Sequence, residues 1–97
     1  MTRKMDSVQN FKGIVMGRVQ GVGYRVFARE CARKRKVNGW VRNLADGNVE
    51  VWAEGEELEL TEFLTDLYRG PVLGHITNID LEWGEGEPRY SEFSILS

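Results

Sequence analysis

The stretch from Gly17 to Arg25, which reads Gly-Arg-Val-Gln-Gly-Val-Gly-Tyr-Arg, constrains the fold of this chain more than any other segment. An apolar run typical of a strand, Phe11 to Met16, precedes it, and a run with helical spacing, Val26 to Lys36, follows it. The glycines therefore predict a tight turn between a strand and a helix. Such a turn leaves backbone N–H groups unpaired at the positive end of the helix dipole, where a small anion can bind.

Arg25 favours the interpretation of this turn as an anion site. The residue falls in the first helical turn, where a positive charge opposes the helix dipole. A bound anion would remove that conflict, and the forked guanidinium suits phosphate. The alternative is structural, with glycines that only make the turn and an arginine that caps the helix or pairs with a neighbouring group.

The residues of the loop exclude three common phosphate motifs. A Walker A loop requires Lys followed by Ser or Thr, and the chain contains no such pair. A dinucleotide-binding fingerprint that starts at Gly21 would need a glycine where Val26 stands. A cysteine-dependent phosphatase would have a thiolate at the start of the loop, where Val19 stands.

Hydrophobic spacing and turn residues predict five further elements. In chain order they are a strand over 38–43, a strand over 48–53, a helix that ends at 69–71, a strand over 76–83 and a last strand over 90–96. Asp46-Gly47 is a strong hairpin signal between the strands over 38–43 and 48–53. The helix carries an apolar stripe at i, i+3, i+4 and i+7, formed by Leu60, Phe63, Leu64 and Leu67.

The order β-α-β-β-α-β plus a terminal strand predicts a single α+β domain over residues 11–97 with the ferredoxin-like arrangement. We expect an antiparallel sheet with two helices on one face and with the first and third strands in its centre. Residues 1–10 are polar and are expected to form a flexible tail. Asn43, at the end of the second strand, is then expected near the loop that follows the first strand. Its alternative role is that of an ordinary turn asparagine that bonds local backbone.

The composition narrows the classes of protein and partner. Thirteen basic and 15 acidic residues give a net charge of -2, which does not favour general nucleic-acid binding. No apolar run approaches the length of a membrane span, and residues 1–10 lack the apolar centre of a signal peptide, so we expect a cytoplasmic protein. The single cysteine, Cys31, and the single histidine, His75, make no metal site.

Two segments together resemble the signatures of the acylphosphatase family. The first is Gly17 to Arg25, and the second is Gly39-Trp40-Val41-Arg42-Asn43 followed by Gly47-Asn48-Val49. The resemblance extends from about Phe11 to Ile95 and covers essentially the whole predicted domain.

This resemblance implies hydrolysis of acyl phosphates to a carboxylate and inorganic phosphate, without a metal or a cofactor. It implies that Arg25 and Asn43 are the catalytic residues, with Arg25 on the phosphate and Asn43 on the attacking water. Backbone amides of the loop would bind the substrate phosphate, namely those of Gln20, Gly21, Val22, Gly23 and Tyr24. We expect a monomer with no membrane or nucleic-acid partner, and inorganic phosphate as both product and competitor.

The chemistry of an acyl phosphate suits such a loop. Its leaving group is a carboxylate whose conjugate acid has a pKa of about 4, so it departs without a proton. The loop contains no Asp, Glu, His or Cys to act as a general acid. Positioning and charge stabilisation remain, and these dominate phosphoryl transfer.

Two other functions fit the predicted fold. A non-catalytic module could hold an anion in the loop, and it would not need Asn43. An RNA-binding domain of the same topology would carry several aromatic residues on its third strand, whereas 48–53 contains only Trp52.

Overall fold

The computed structural model describes residues 7–96, which form two helices and five strands. In chain order these are β1 (Val8–Arg18), α1 (Tyr24–Arg35), β2 (Asn38–Asn43), β3 (Val49–Gly55), α2 (Glu57–Arg69), β4 (His75–Gly86) and β5 (Phe93–Ile95). The predicted α+β class and order of elements are confirmed.

The strands form one sheet with the order β4-β1-β3-β2-β5, so the first and third strands lie in its centre as predicted. β1 is antiparallel to β3 and to β4, and β2 is antiparallel to β3. The four strands of the predicted β-α-β-β-α-β core are antiparallel as expected, and the added terminal strand β5 pairs with β2 in parallel, so the complete sheet is mixed. The segment that joins β4 to β5 crosses from one edge of the sheet to the other while staying at the same end of the strands. β5 therefore runs opposite to β4 and in the same direction as β2.

Strand β1 is longer than its sequence pattern indicates. Gln9 and Asn10, placed in the flexible tail by the sequence, pair with both β3 and β4, and Val8 pairs with β4. Residues 1–6 of that tail lie outside the described residues. Backbone hydrogen bonds to the neighbouring strands order these residues, and the polarity of their side chains gives no sign of those bonds. Helix α1 likewise begins at Tyr24, two residues before the predicted start.

The core lies between the sheet and both helices. Alternate residues of the central strands, such as Phe11, Val15 and Val51, are fully buried in one cluster with residues of α1 and α2. The predicted stripe of α2 is confirmed, since Leu60, Phe63 and Leu67 are fully buried and Leu64 packs against the cluster. The core cluster also contains four residues of α1, namely Tyr24, Ala28, Cys31 and Ala32.

A charged network joins the two helices. Asp66 is only 2% exposed and accepts hydrogen bonds from Arg35 Nε at 2.9 Å and Arg35 Nη2 at 3.2 Å. Arg69 Nη1 donates to the same carboxylate at 3.2 Å. Burial raises the pKa of Asp66, but the hydrogen bonds and charge of Arg35, assisted by Arg69, outweigh it and hold this pKa below its ordinary value.

We expect Asp66→Asn to lower the free energy of unfolding at pH 7 by about 2 kcal/mol, because it removes charged hydrogen bonds between the helices. The folded pKa is depressed, so this stabilisation is present above the unfolded value near 4 and disappears as the pH falls through the folded pKa. Urea titrations at pH 7 and pH 3 should show the gap between wild type and variant closing at the lower pH. Asp80→Asn, an exposed carboxylate on β4, is the matched control and should change stability by under about 0.5 kcal/mol.

Candidate active site

Four segments meet at one end of the sheet. β1 and β2 are both antiparallel to β3, so the loop after β1 and the hairpin after β2 lie at the same end. β5 runs parallel to β2 and ends there too, while the antiparallel β4 begins there. The topology therefore brings the glycine-rich loop and Asn43 together, as the sequence predicts.

The loop between β1 and α1 is shaped by left-handed glycines. Gly21 has φ 75 and Gly23 has φ 79, a region that L side chains rarely adopt. Gly23 is the N-cap of α1, and its carbonyl oxygen accepts the N–H of Phe27 at 3.0 Å. A Cβ atom at either glycine would meet nothing within 4 Å, so these glycines serve the backbone conformation and the outer side of the loop is open.

The backbone amides of this loop are available to a ligand. Over residues 7–96, no N–H group of residues 20–24 donates to a protein acceptor. The first turn of α1 contains no acidic residue, and Gly23 supplies no side-chain cap. The positive end of the helix dipole is therefore uncompensated, which is the arrangement that binds anions.

A cavity of about 200 Å³ opens between the loop and the neighbouring strand ends. It is lined by Val19, Gly21, Gly23, residues 24–26, Asn43 and Ile95. Both predicted catalytic residues thus line the same cavity, with three of the five predicted phosphate-binding residues. Val22 packs against the core instead, and Gln20 faces the hairpin after β2.

Arg25 and Asn43 keep their polar groups free for a ligand. Among the described residues, Arg25 forms no ion pair or hydrogen bond, which disfavours the alternative in which it pairs with a neighbouring group. Asn43 is half-buried, and its carboxamide makes no hydrogen bond with the described part of the chain. The role of turn asparagine falls to Asp46, whose Oδ1 accepts the N–H of Asn48 at 3.0 Å. The alternative for Asn43 is therefore also disfavoured.

Tyr24 lines the cavity, while its hydroxyl group is committed elsewhere. The residue is 1% exposed, and its phenol donates to the carbonyl oxygen of Leu67 at 2.7 Å. Burial, with a smaller contribution from Cys31, raises the pKa of Tyr24 far above its ordinary value. Among the described residues, no carboxyl, imidazole or thiol lines the cavity, and Arg25 is the one charged side chain in its lining.

The other residues that the sequence singled out lie apart from the cavity. His75 is exposed at the start of β4, and Cys31 is buried in the core. Burial, followed by the nearby charge of Asp66, raises the pKa of the Cys31 thiol. Over residues 7–96, no group of three or more His, Cys, Asp and Glu side chains is arranged to hold a metal ion.

The face of the sheet that the helices leave open does not resemble an RNA platform. The segment after β4 lies over its aromatic residues, with the guanidinium of Arg89 4.8 Å from the ring centroid of Trp52. Trp40 Nε1 donates to the hydroxyl of Tyr90 at 3.1 Å. Glu54 Oε2 accepts the backbone N–H groups of Arg89 and Tyr90, both at 2.8 Å, and so holds this segment in place. Trp40 and Trp52 on this face are therefore half-buried against that segment, which leaves their rings less available for base stacking.

Three features of the site escape sequence analysis. Ile95 lines the cavity only because β5 pairs in parallel with β2, a long-range event without a local signal. Val26 also lines the cavity, and its position directly after Arg25 is the one sequence feature that indicates this. The third is the Gln20 side chain, whose Nε2 donates to the carbonyl oxygens of Leu44 and Asn48.

Comparison with known proteins agrees with the geometry. The acylphosphatase family model matches residues 11–95. An acylphosphatase of Thermus thermophilus is 47% identical over 72 residues, which are 74% of this chain and 82% of that protein. One of Alcanivorax borkumensis is 42% identical over an alignment 85 positions long, which covers 84% of this chain and 92% of that protein.

The fold matches as closely as the sequence. The crystal structure of an acylphosphatase from Bacillus subtilis aligns with a TM-score of 0.89 at 39% identity, covering 92% of this chain and 99% of the other. Neither helix within residues 7–96 has the length and apolar character needed to cross a bilayer. On sequence and on structure, this chain belongs to the acylphosphatase family.

Proposed function

We propose that this protein hydrolyses acyl phosphates to a carboxylate and inorganic phosphate, as a monomeric enzyme that needs no metal or cofactor. One observation carries the proposal: a single cavity combines Arg25, Asn43 and a loop of unpaired amides, and no acid or base lines it among residues 7–96. The free thiol of Cys31 suits the reducing cytoplasm, where we propose that the enzyme acts.

Arg25 and the loop bind the phosphate group in this mechanism. The guanidinium and the N–H groups of residues 20–24 donate to the non-bridging oxygens, and the dipole of α1 adds positive potential at the same point. These donors are fixed before the substrate arrives, so they stabilise the charge that spreads over the oxygens in the transition state without reorganisation.

Asn43 holds the attacking water on the side of the phosphorus opposite the leaving group. Its carboxamide can both donate to and accept from one water molecule. The water oxygen forms a bond to phosphorus as the bond from phosphorus to the acyl oxygen breaks, and the carboxylate leaves with the electron pair. Since no base lines the cavity in the described part of the chain, the water proton passes to an oxygen of the substrate's own phosphate group.

The absence of an acid in the cavity lining sets the substrate class. A carboxylate leaves without protonation because its conjugate acid has a pKa of about 4. An alkoxide leaving group needs a proton or a metal ion, and none of the described lining residues can supply the proton. Alkyl phosphates should therefore bind through their phosphate and remain intact.

The test is an assay of phosphate release from an aryl acyl phosphate such as benzoyl phosphate, with and without a chelator. We expect equal turnover in both conditions, competitive inhibition by inorganic phosphate and no release from an alkyl phosphate. Loss of activity with the chelator would contradict the metal-free mechanism. Binding of phosphate without turnover of any acyl phosphate would instead identify a non-catalytic anion-binding module.

A further inference from the structure

We propose that Gln20 is a positioning residue, whose side chain fixes the hairpin that carries Asn43 against the phosphate loop. The inference rests on the proposed function, because it concerns the placement of the water that Asn43 holds. Gln20 acts through Asn43 and does not itself touch the substrate with its side chain.

The Gln20 carboxamide spans the gap between the two segments. Its Nε2 donates to the carbonyl oxygen of Leu44 at 2.8 Å and to that of Asn48 at 2.9 Å. Both acceptors are carbonyl oxygens, so only the nitrogen end of the carboxamide can face them, and both of its N–H groups are used. Leu44 directly follows Asn43, which places this attachment one residue from the catalytic carboxamide.

The hairpin closes without help from Gln20. The N–H of Leu44 donates to the carbonyl oxygen of Asn48 at 2.8 Å, and the N–H of Gly47 donates to that of Leu44 at 3.2 Å. Each carbonyl that Gln20 contacts thus keeps a backbone partner if the side chain is lost. The two Gln20 hydrogen bonds therefore set where the hairpin lies relative to the loop, and the fold of the hairpin does not depend on them.

The loop end of this link is also anchored. Val19, the residue that precedes Gln20, is 2% exposed and belongs to the core. Arg25 is held separately, by α1. Removal of the Gln20 link should consequently leave phosphate binding intact and disturb the distance between the bound phosphate and Asn43, to which in-line attack is highly sensitive.

The first test replaces Gln20 with methionine, which has similar length and donates no hydrogen bond. We expect kcat to fall about tenfold, a typical effect of small misplacement, while the inhibition constant of inorganic phosphate changes by less than about twofold. Gln9→Met makes the same chemical change near the other end of β1 and should leave both constants unchanged. In the Asn43→Ala background, Gln20→Met should cause no further fall in kcat.

The double-mutant comparison separates this inference from the proposed function. Equal falls in kcat with and without Asn43 would overturn the positioning role of Gln20 and leave the proposed mechanism standing. A larger inhibition constant for phosphate with unchanged kcat would also overturn the positioning role, because Gln20 would then contribute to phosphate binding. Wild-type turnover by Asn43→Ala alone would instead refute the water-holding step, and the role of Gln20 with it.

A second variant covers the case in which Gln20→Met does not fold. Gln20→Glu keeps the shape of the side chain but sets a carboxylate against two carbonyl oxygens, and only the protonated acid can donate to one of them. Its kcat relative to wild type should be low at pH 7 and should recover several-fold as the pH is lowered towards 4, near the pKa of an ordinary glutamate. A ratio that does not change with pH would contradict the requirement for a donor at this position.

Discussion

Arg25→Ala is expected to lower kcat/KM on an acyl phosphate by about 10³-fold or more, with a higher KM and a lower kcat. Arg25 is the one charged residue among the described residues that line the cavity, so none of them replaces its guanidinium. The charge on the phosphate oxygens is present in the bound substrate and is redistributed in the transition state, so binding and rate should fall together. Steady-state kinetics and the inhibition constant of inorganic phosphate measure the two effects.

Two matched variants separate charge from geometry. Arg33→Ala removes a positive charge from the exposed last turn of the same helix and should retain wild-type kinetics. Arg25→Lys keeps the charge but loses the planar fork, so it should recover part of the binding and little of the rate. If Arg25→Ala bound phosphate as tightly as wild type, the loop amides alone would hold the anion and the assigned role of Arg25 would be wrong.

The sequence predicted those parts of the site that local chemistry determines. Strand β2 occupies Asn38–Asn43 as predicted, because the Asp46-Gly47 turn fixes where the hairpin closes. The glycine spacing predicted the loop, since left-handed backbone at Gly21 and Gly23 has few other solutions. The order of the elements then placed Asn43 beside that loop, because β1 and β2 run in the same direction.

Long-range pairing accounts for what the sequence missed. The polar residues Gln9 and Asn10 have the composition of a tail, yet they belong to β1 because strands on both sides supply hydrogen-bond partners. Ile95 reaches the cavity through the parallel pairing of β5 with β2, which no local pattern encodes. The Gln20 side chain bonds backbone carbonyls 24 and 28 positions away, and such acceptors leave no mark in the sequence.

Asn43→Ala is expected to lower kcat by about 10² to 10³-fold while KM and the inhibition constant of phosphate stay within about twofold of wild type. The phosphate donors of the loop and Arg25 are untouched by this change, so ground-state binding should persist. In the proposed mechanism the substitution removes only the placement of the water, which matters in the transition state alone. Asn38→Ala, at the opposite end of the same strand, is the control and should keep its kcat.

The Asn43→Asp variant tests whether the mechanism requires a neutral side chain at this position. The carboxylate could still bind water, and it would add a base where the wild-type cavity has none, but its negative charge would face a dianionic phosphate. If the site needs a neutral side chain at position 43 in order to hold an anion, the variant should show both a higher KM and a lower kcat. Both defects should lessen as the pH drops towards 4 and the new carboxylate is protonated. An Asn43→Asp enzyme as active as wild type at pH 7 would mean that water attack tolerates a base there, and the transfer of the water proton to the substrate's own phosphate would no longer be required.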